Sequence, residues 1–300
     1  MYSEIGSSMT PSGEQVEIIR EVGGELASLI QAARTLPGMA ELSGEWERQR
    51  ADLEAQMTSE RVCVAVVGPI KSGKSTFINA LLGGDYLKRG AGVVTSIVTR
   101  IRRGEALSAR LTLKSWEEIN ESVEGATALF PPGGWQPAGG AVDLRRETDR
   151  RAISEALAGL GADRHIGENA RNPHSALLTS VLNGYSRMRD RIGESAGELS
   201  FSEARFREHQ EYTGDDDLAV YLSDVRLTIN APMLPAHVEI ADCQGSDSPN
   251  PLHLAMIQQY LLRTHLIVYV ISSRTGLRGA DIRFLSIIRK MGMIDSALFV

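Results

Sequence analysis

The sequence has little of several features that would place a protein in a special class. Only two of its 300 residues are cysteines, Cys63 and Cys243, so we expect no disulfide framework and a reducing, cytoplasmic setting. No secretory signal and no apolar run of 18 residues occurs, which predicts no membrane-spanning helix. The net charge of −6 argues against a broad basic surface, and therefore against nucleic acid as a partner. Peripheral binding to a membrane stays open.

The six histidines show no spacing typical of metal ligands. The composition, 42% hydrophobic and 23% charged, is that of a globular protein. From Glu14, apolar residues recur every three or four positions and predict an amphipathic helix that ends at Pro37. A second, more charged helix is predicted from about Met39 to about Thr58. We interpret residues 1–60 as an N-terminal helical segment.

A different pattern begins at Arg61. Residues 62–67 form a continuous β-branched run, which is typical of a parallel strand buried on both faces. A glycine loop and then a short apolar helix, residues 75–82, follow it. Further strands are predicted at residues 238–241, 266–271 and 297–300, with a helix at about 280–291. Alternating strands and helices predict an α/β domain with a mostly parallel sheet over residues 61–300.

Two stretches inside this domain have other patterns. Residues 96–114 contain two alternating runs around Arg103–Glu105 and predict a hairpin at the edge of the sheet. Residues from about 115 to 215 predict a mostly helical insertion. Its arginine cluster alternates with acidic residues, so a solvated helix face is favoured over a lipid or nucleic-acid surface; the cluster comprises Arg145, Arg146, Arg150 and Arg151.

The clearest motif is a phosphate-binding loop. Residues 68–75 match the pattern G-x-x-x-x-G-K-[ST] without deviation, between a strand and a helix as the motif requires. Successive backbone N–H groups of such a loop form an anion site at the positive end of the helix. Lys74 is expected to reach the β- and γ-phosphates and Ser75 to ligate Mg²⁺. The residues expected to contact nucleotide here are Gly68, Pro69, Ile70, Lys71, Ser72, Gly73, Lys74, Ser75 and Thr76.

Two later segments would complete a metal and γ-phosphate site. The strand at 238–242 ends in Asp242, which is placed to hold Mg²⁺, and Gly245 follows with an amide for the γ-phosphate. The glycine-rich stretch 86–95 ends in Thr95, whose hydroxyl is a possible metal ligand. A strand-capping aspartate and a surface loop with a capping threonine are the alternatives.

Together these segments resemble the dynamin superfamily, especially its bacterial members. The resemblance lies in Gly-x4-Gly-Lys-Ser-Thr-Phe-Ile-Asn-Ala-Leu-Leu-Gly83 and Tyr86-Leu-x-Arg-Gly-x-Gly-Val-Val-Thr95, and it covers about residues 61–102 and 218–300. It implies GTP as substrate and Mg²⁺ as cofactor. It further implies that Thr95 binds the metal and orients the attacking water, and that Asp242 and Gly245 are the second-switch residues.

Three departures from the family pattern matter. Gln244 replaces the second-switch proline. Ile70 and Lys71 replace a catalytic glutamine and a cation-binding serine of the eukaryotic members, and we hypothesise that the Lys71 ammonium substitutes for that cation; strong potassium dependence with Lys71 intact would contradict this. The guanine-reading Asn/Thr-Lys-x-Asp motif is expected just beyond Val300, so we expect a truncated domain with an incomplete sheet.

The resemblance implies a GTPase in which Lys71, Lys74, Thr95 and Gly245 act in hydrolysis. It also implies self-association through the GTPase domain and membrane remodelling, with lipid contacts outside these residues. Two alternatives stay open: a ribosome-associated GTPase of the Era type, and a nucleotide-gated scaffold that does not hydrolyse GTP.

Overall fold

A computed structural model gives the fold of the chain. It describes residues 13–36, 38–39, 42–44, 46–51, 61–88, 97–127, 130, 137, 139–162, 173–243 and 257–300. The chain divides into two compact units, Met1–Val62 and Cys63–Val300.

The first unit is helical where it is described. Helix α1 spans Gly13–Arg34, as the periodicity from Glu14 predicts, and residues 42–44 and 46–51 are also helical. The remainder of the predicted second helix, residues 52–60, lies outside the described residues. None of the helices in the described ranges is both long enough and apolar enough to cross a bilayer.

The second unit is built on one eight-stranded sheet with helices on its faces. Its strands are β1 (Val62–Val67), β2 (Thr99–Arg103), β3 (Ser108–Leu113), β4 (Gly197–Ser202), β5 (Leu222–Ile229), β6 (Val238–Asp242), β7 (Leu266–Tyr269) and β8 (Ala297–Phe299). Its helices are α2 (Lys74–Leu82), α3 (Trp116–Thr127), α4 (Glu147–Ala162), α5 (Pro173–Met188), α6 (His209–Thr213), α7 (Asp216–Ala219) and α8 (Gly279–Lys290). Residues 257–261 are helical, and Glu203–Glu208 and Ile294–Ser296 are 3₁₀ turns.

The strand order is β4-β3-β5-β2-β6-β1-β7-β8. The β1–β7 and β7–β8 pairs are parallel, as predicted for this half. The other half is mixed, because β5 runs parallel to β2 whereas β3 is antiparallel to both β4 and β5, and β2 is antiparallel to β6. The predicted α/β class is confirmed, and the antiparallel pairs lie in the half of the sheet from β4 to β6.

The predicted hairpin at residues 96–114 is wrong. Strands β2 and β3 exist, but β5 lies between them and pairs with both. Thr99 lies opposite Val225, and Leu111 lies opposite the same residue on the other side. Sequence proximity favoured direct pairing, yet β2 is an interior strand whose two neighbours come from much later in the chain.

The insertion is less separate than the sequence suggests. It is mostly helical, through α3, α4 and α5, but its β4 joins the sheet beside β3. Buried apolar side chains form two clusters, one containing Val66 with much of the insertion and the other containing Ala65 and Val67. Successive side chains of a strand point to opposite faces, so the clusters lie on the two sides of β1.

Strand β1 therefore sits in the interior of the sheet, buried at Ala65, Val66 and Val67. Helix α2 follows it after a six-residue loop, residues 68–73. The neighbouring strand β6 ends in Asp242. This arrangement brings the loop after β1 and the end of β6 together.

Candidate nucleotide-binding site

The loop after β1 adopts a backbone conformation that requires glycine at residue 68. Gly68 has φ 148°, and a Cβ at this residue would lie closer than 3.0 Å to the Val270 carbonyl oxygen. Such a conformation is accessible to glycine at little cost. Lys71 has φ 62°, the left-handed region that few non-glycine residues occupy. The Ser72 N–H donates to the Pro69 carbonyl at 3.2 Å, which closes the turn.

Lys74 opens helix α2 with its ammonium folded over the loop. It is 7% exposed, and Nζ donates to the Gly68 carbonyl at 3.0 Å and to the Pro69 carbonyl at 2.7 Å. A buried ammonium needs hydrogen-bond acceptors, and the loop carbonyls supply two. The charge is thus held inside the loop that the motif assigns to phosphate.

Ser75 and Asp242 join the loop to strand β6. Ser75 Oγ donates to Asp242 Oδ2 at 2.7 Å. Burial raises the pKa of the Asp242 carboxyl, while the bond from Ser75 and the charge of Lys74 oppose that rise. Asp242 Oδ1 and Ser72 Oγ are buried, and no described residue is their hydrogen-bond partner.

This donor set fits Mg²⁺. A hydroxyl and a carboxylate are oxygen ligands of the kind that Mg²⁺ prefers, and Asp242 Oδ1 is a buried acceptor with no protein donor. Among the described residues no cluster of three or more His, Cys, Asp or Glu side chains could hold a metal. Two protein oxygens suit Mg²⁺, which usually keeps several waters and takes the remaining ligands from phosphates.

The other predicted site residues stay predictions. Thr95, Gln244 and Gly245 lie outside the described residues. Lys71, within the loop, and Thr76 are exposed. Residues 68–75 comprise eight of the nine predicted nucleotide contacts, and Thr76 is the third residue of α2.

A residue that the sequence analysis did not single out lies directly behind the site. Asn79 is 3% exposed and is one helical turn beyond Ser75 on α2. Its side chain bonds Tyr86 and Leu87. These belong to residues 85–88, a segment that we call the stem because it leads from α2 toward Thr95. A buried asparagine in an apolar helix is a signal that the sequence did contain.

The stem is also contacted from the insertion. Residues 203–214, which we call the bracket, comprise the 3₁₀ turn after β4, helix α6 and Gly214. Gln210 Nε2 donates to the Tyr86 carbonyl at 3.2 Å, and Lys88 Nζ donates to the Gly214 carbonyl at 3.1 Å. No sequence pattern indicated these contacts, because they join segments more than 100 residues apart.

The arginine cluster of the insertion is neutralised locally. Arg145 bonds Asp143 and Glu194, Arg146 bonds Asp149, and Arg151 bonds Glu155. The Arg150 guanidinium stacks over the Tyr185 ring at 4.0 Å. These contacts support the solvated helix face that the sequence favoured.

A glycine loop between a buried strand and a helix, with its lysine, serine and a neighbouring strand-end aspartate together, defines a P-loop nucleotide-binding α/β domain. Comparison with known proteins gives the family. Residues 64–291 match the Dynamin family, and the chain belongs to it. The match runs through the insertion, whereas the resemblance seen in the sequence stopped on either side of it.

Two relatives illustrate the relationship. The chain is 21% identical over 247 residues to Dynamin-like protein A of Bacillus subtilis (strain 168), which covers 81% of this chain and 18% of the relative. It is also similar to a solved chain described as part of an oligomerised bacterial dynamin pair for long-range sensing and tethering of membranes. That similarity has TM-score 0.50 and 14% identity, and covers 98% of this chain and 40% of the other. The chain therefore spans less than half of either protein.

Proposed function

We propose that this protein binds GTP at the loop of residues 68–75 and hydrolyses it. One observation carries the proposal: Lys74, Ser75 and Asp242 converge at a P-loop in a chain that belongs to the Dynamin family. Family membership also weakens the ribosome-associated alternative. The non-hydrolysing scaffold is left for experiment to decide.

The roles of the loop residues follow from their contacts. On nucleotide binding, Lys74 exchanges carbonyl acceptors for β- and γ-phosphate oxygens, which carry full charge and make stronger bonds to an ammonium. The backbone N–H groups of residues 70–74 donate to the remaining phosphate oxygens. We further propose that Thr95 orients the attacking water, that Gly245 donates its amide to the γ-phosphate, and that Lys71 stabilises the developing charge.

Ser75 and Asp242 would hold Mg²⁺, with Thr95 as a third ligand. When bound, the metal neutralises phosphate charge and polarises the bond that breaks. The chain's own contribution is to hold the Ser75 hydroxyl and the Asp242 carboxylate at a buried point beside Lys74. The fold has thus already brought together the two side chains that the metal would join.

Self-association and a membrane role complete the proposal. The solved relative is described as an oligomerised pair that senses and tethers membranes, and the Bacillus relative is a dynamin-like protein. We propose that this protein likewise self-associates through its nucleotide-binding domain. We propose that lipid contact is made outside residues 1–300; the chain spans 18% of the Bacillus relative.

The decisive variant is Lys74→Ala in the full-length protein. Removing the ammonium takes away the charge aimed at the β- and γ-phosphates, so we expect GTP turnover to fall about 10²-fold or more. Turnover is measured by phosphate release with GTP and with ATP, in Mg²⁺ and in a chelator. Lys290→Ala, which removes an exposed lysine at the end of α8, is the matched control and should keep wild-type turnover.

Each alternative predicts a different result. Tight GTP binding without phosphate release would favour the scaffold. Equal turnover of ATP and GTP would contradict guanine selectivity. Turnover that survives Lys74→Ala would contradict the assignment of the site itself.

A further inference from the structure

The buried side chain of Asn79 bonds the backbone of the stem. Asn79 Oδ1 accepts from the N–H groups of Tyr86 at 3.1 Å and Leu87 at 2.9 Å, and Asn79 Nδ2 donates to the Leu87 carbonyl at 2.8 Å. An asparagine amide has one oxygen with two lone pairs and one nitrogen with two protons. Asn79 thus uses three of its four positions on two adjacent stem residues.

The bracket also bonds the stem, at Tyr86 and at Lys88. Gln210 Nε2 donates to the Tyr86 carbonyl, so Tyr86 is bonded through its N–H from α2 and through its carbonyl from the insertion. Lys88 lies across Gly214 and donates to its carbonyl. A Cβ on Gly214 would come closer than 3.0 Å to the Lys88 side chain, so the close approach depends on glycine here.

The bracket is anchored and is not a free surface loop. Phe206 and His209 are 3% and 1% exposed. The Phe206 ring meets the Tyr86 ring edge-on, with centroids 6.4 Å apart and planes at 79°, an arrangement that aromatic pairs favour. The bracket continues directly from β4, which pairs with β3 over six residues. Its position is therefore fixed by the sheet.

We propose that Gln210 and Asn79 are positioning residues for nucleotide turnover, and that the bracket couples the insertion to the phosphate site. Asn79 lies on the same helix, α2, as Lys74 and Ser75. A displacement of the stem would therefore be transmitted through Asn79 to the helix that carries these two phosphate-site residues. The stem is also where the chain sets out toward Thr95. This inference rests on the proposed GTPase function and assigns to it a control element in the insertion.

The test compares two substitutions of Gln210 in the full-length protein. Gln210→Ala removes the bond to the Tyr86 carbonyl. Gln210→Glu keeps the size of the side chain but turns a carboxylate oxygen toward that carbonyl, where it repels. Glu208→Gln is the matched control, since Glu208 belongs to the bracket and bonds Arg205 on the surface without touching the stem.

We expect kcat for GTP to fall about fivefold in Gln210→Ala and on the order of tenfold or more in Gln210→Glu. Affinity for GDP should stay within about twofold of wild type, because the bonds of the loop to the β-phosphate are unchanged. Glu208→Gln should match wild type in both. Hydrogen exchange at the Tyr86 and Leu87 amides should speed up in both Gln210 variants, and in Asn79→Ala, which removes the acceptor of both amides.

Whether Gln210 positions the stem or only fills space is decided by which of its two variants has the lower kcat. A residue that only fills space would leave Gln210→Glu closer to wild type than Gln210→Ala. Wild-type kcat in both Gln210 variants, with faster exchange at the stem, would overturn this inference and leave the proposed function intact. Loss of GDP affinity and thermal stability in proportion to kcat would overturn it as well. A wild-type protein that does not hydrolyse GTP would overturn both proposals together.

Discussion

At Gly68 the loop backbone passes so close to strand β7's continuation that a methyl group has no room. The φ of 148° and the Val270 carbonyl both oppose a side chain. Gly125, in the last turn of α3, differs in both respects: its φ is not positive, and a Cβ there would meet nothing within 4 Å. The two glycines are chemically identical, and only their surroundings distinguish them.

Gly68→Ala should therefore destabilise the protein by about 2 kcal/mol or more and abolish nucleotide binding. Gly125→Ala should stabilise it by up to about 0.5 kcal/mol, because alanine has the higher helix propensity and less backbone freedom in the unfolded chain. Chemical denaturation of both variants beside wild type measures the difference. Equal effects of the two substitutions would show that the Gly68 backbone is not constrained as described.

At this scale the sequence reveals residues whose function depends on their neighbours in the chain. Lys74 and Ser75 were assigned from the motif, and the structure places both beside Asp242. Asn79 and Gln210 were not, because what they do depends on a backbone segment that tertiary structure brings between them. For Asn79 an asparagine in an apolar helix was a signal, but no local pattern indicates the contact of Gln210, 124 residues from Tyr86.

The bracket contains a buried titratable residue, His209. Burial lowers the pKa of the His209 imidazole, and hydrogen bonding to the Phe206 and Tyr86 backbones opposes the effect. The unfolded chain therefore takes up this proton at higher pH than the folded chain does. By linkage, stability is lost as pH falls from the unfolded value of about 6.5 toward the lower folded value.

His209→Gln removes this dependence, so we expect a smaller loss of melting temperature between pH 7.5 and pH 5.5 than in wild type. The quantity compared is the change in melting temperature between the two pH values, because the substitution also changes packing and so shifts the melting temperature at every pH. His237→Gln, which alters an exposed histidine, should lose as much as wild type. An equal loss in the His209 and His237 variants would contradict the assignment.

Elements were predictable where one pattern dominated. The apolar run of β1, the helix after the loop and the amphipathic α8 are present within a few residues of their predicted limits. Pairing was not predictable for β2 and β3. Each has the alternating apolar and polar residues of a strand. This pattern predicts which side chains share a face of the sheet, but not which strand is the neighbour.

For the whole molecule, parallel strands place several loops at one edge of the sheet. Because β1 and β7 are parallel, the loop after β7 emerges at the same edge as residues 68–75. It carries Leu277, 50% exposed, and α8 follows with Ile282, 59% exposed. Exposed apolar residues beside a nucleotide site are suited to contact with a second copy of the chain.

We therefore expect a transition-state mimic, GDP with aluminium fluoride, to double the mass of the wild-type protein in light scattering. Ile282→Glu should stay monomeric and keep wild-type GDP affinity, because a charge at a packed contact is costly. Met233→Glu changes a residue that is 76% exposed between β5 and β6 and should still dimerise. Dimerisation of Ile282→Glu at wild-type concentration would exclude this surface.

The position of β5 between β2 and β3 also has a consequence for biosynthesis. Thr99 pairs with Val225, so β2 leaves the ribosome more than 100 residues before its native partner. At about 5–20 residues per second, that interval is roughly 6–25 s, far longer than the microseconds in which a hairpin forms. Throughout it the nascent chain has the β2–β3 hairpin available as its nearest pairing. We therefore expect any β2–β3 contact that forms in this interval to be replaced when β5 inserts between the two strands.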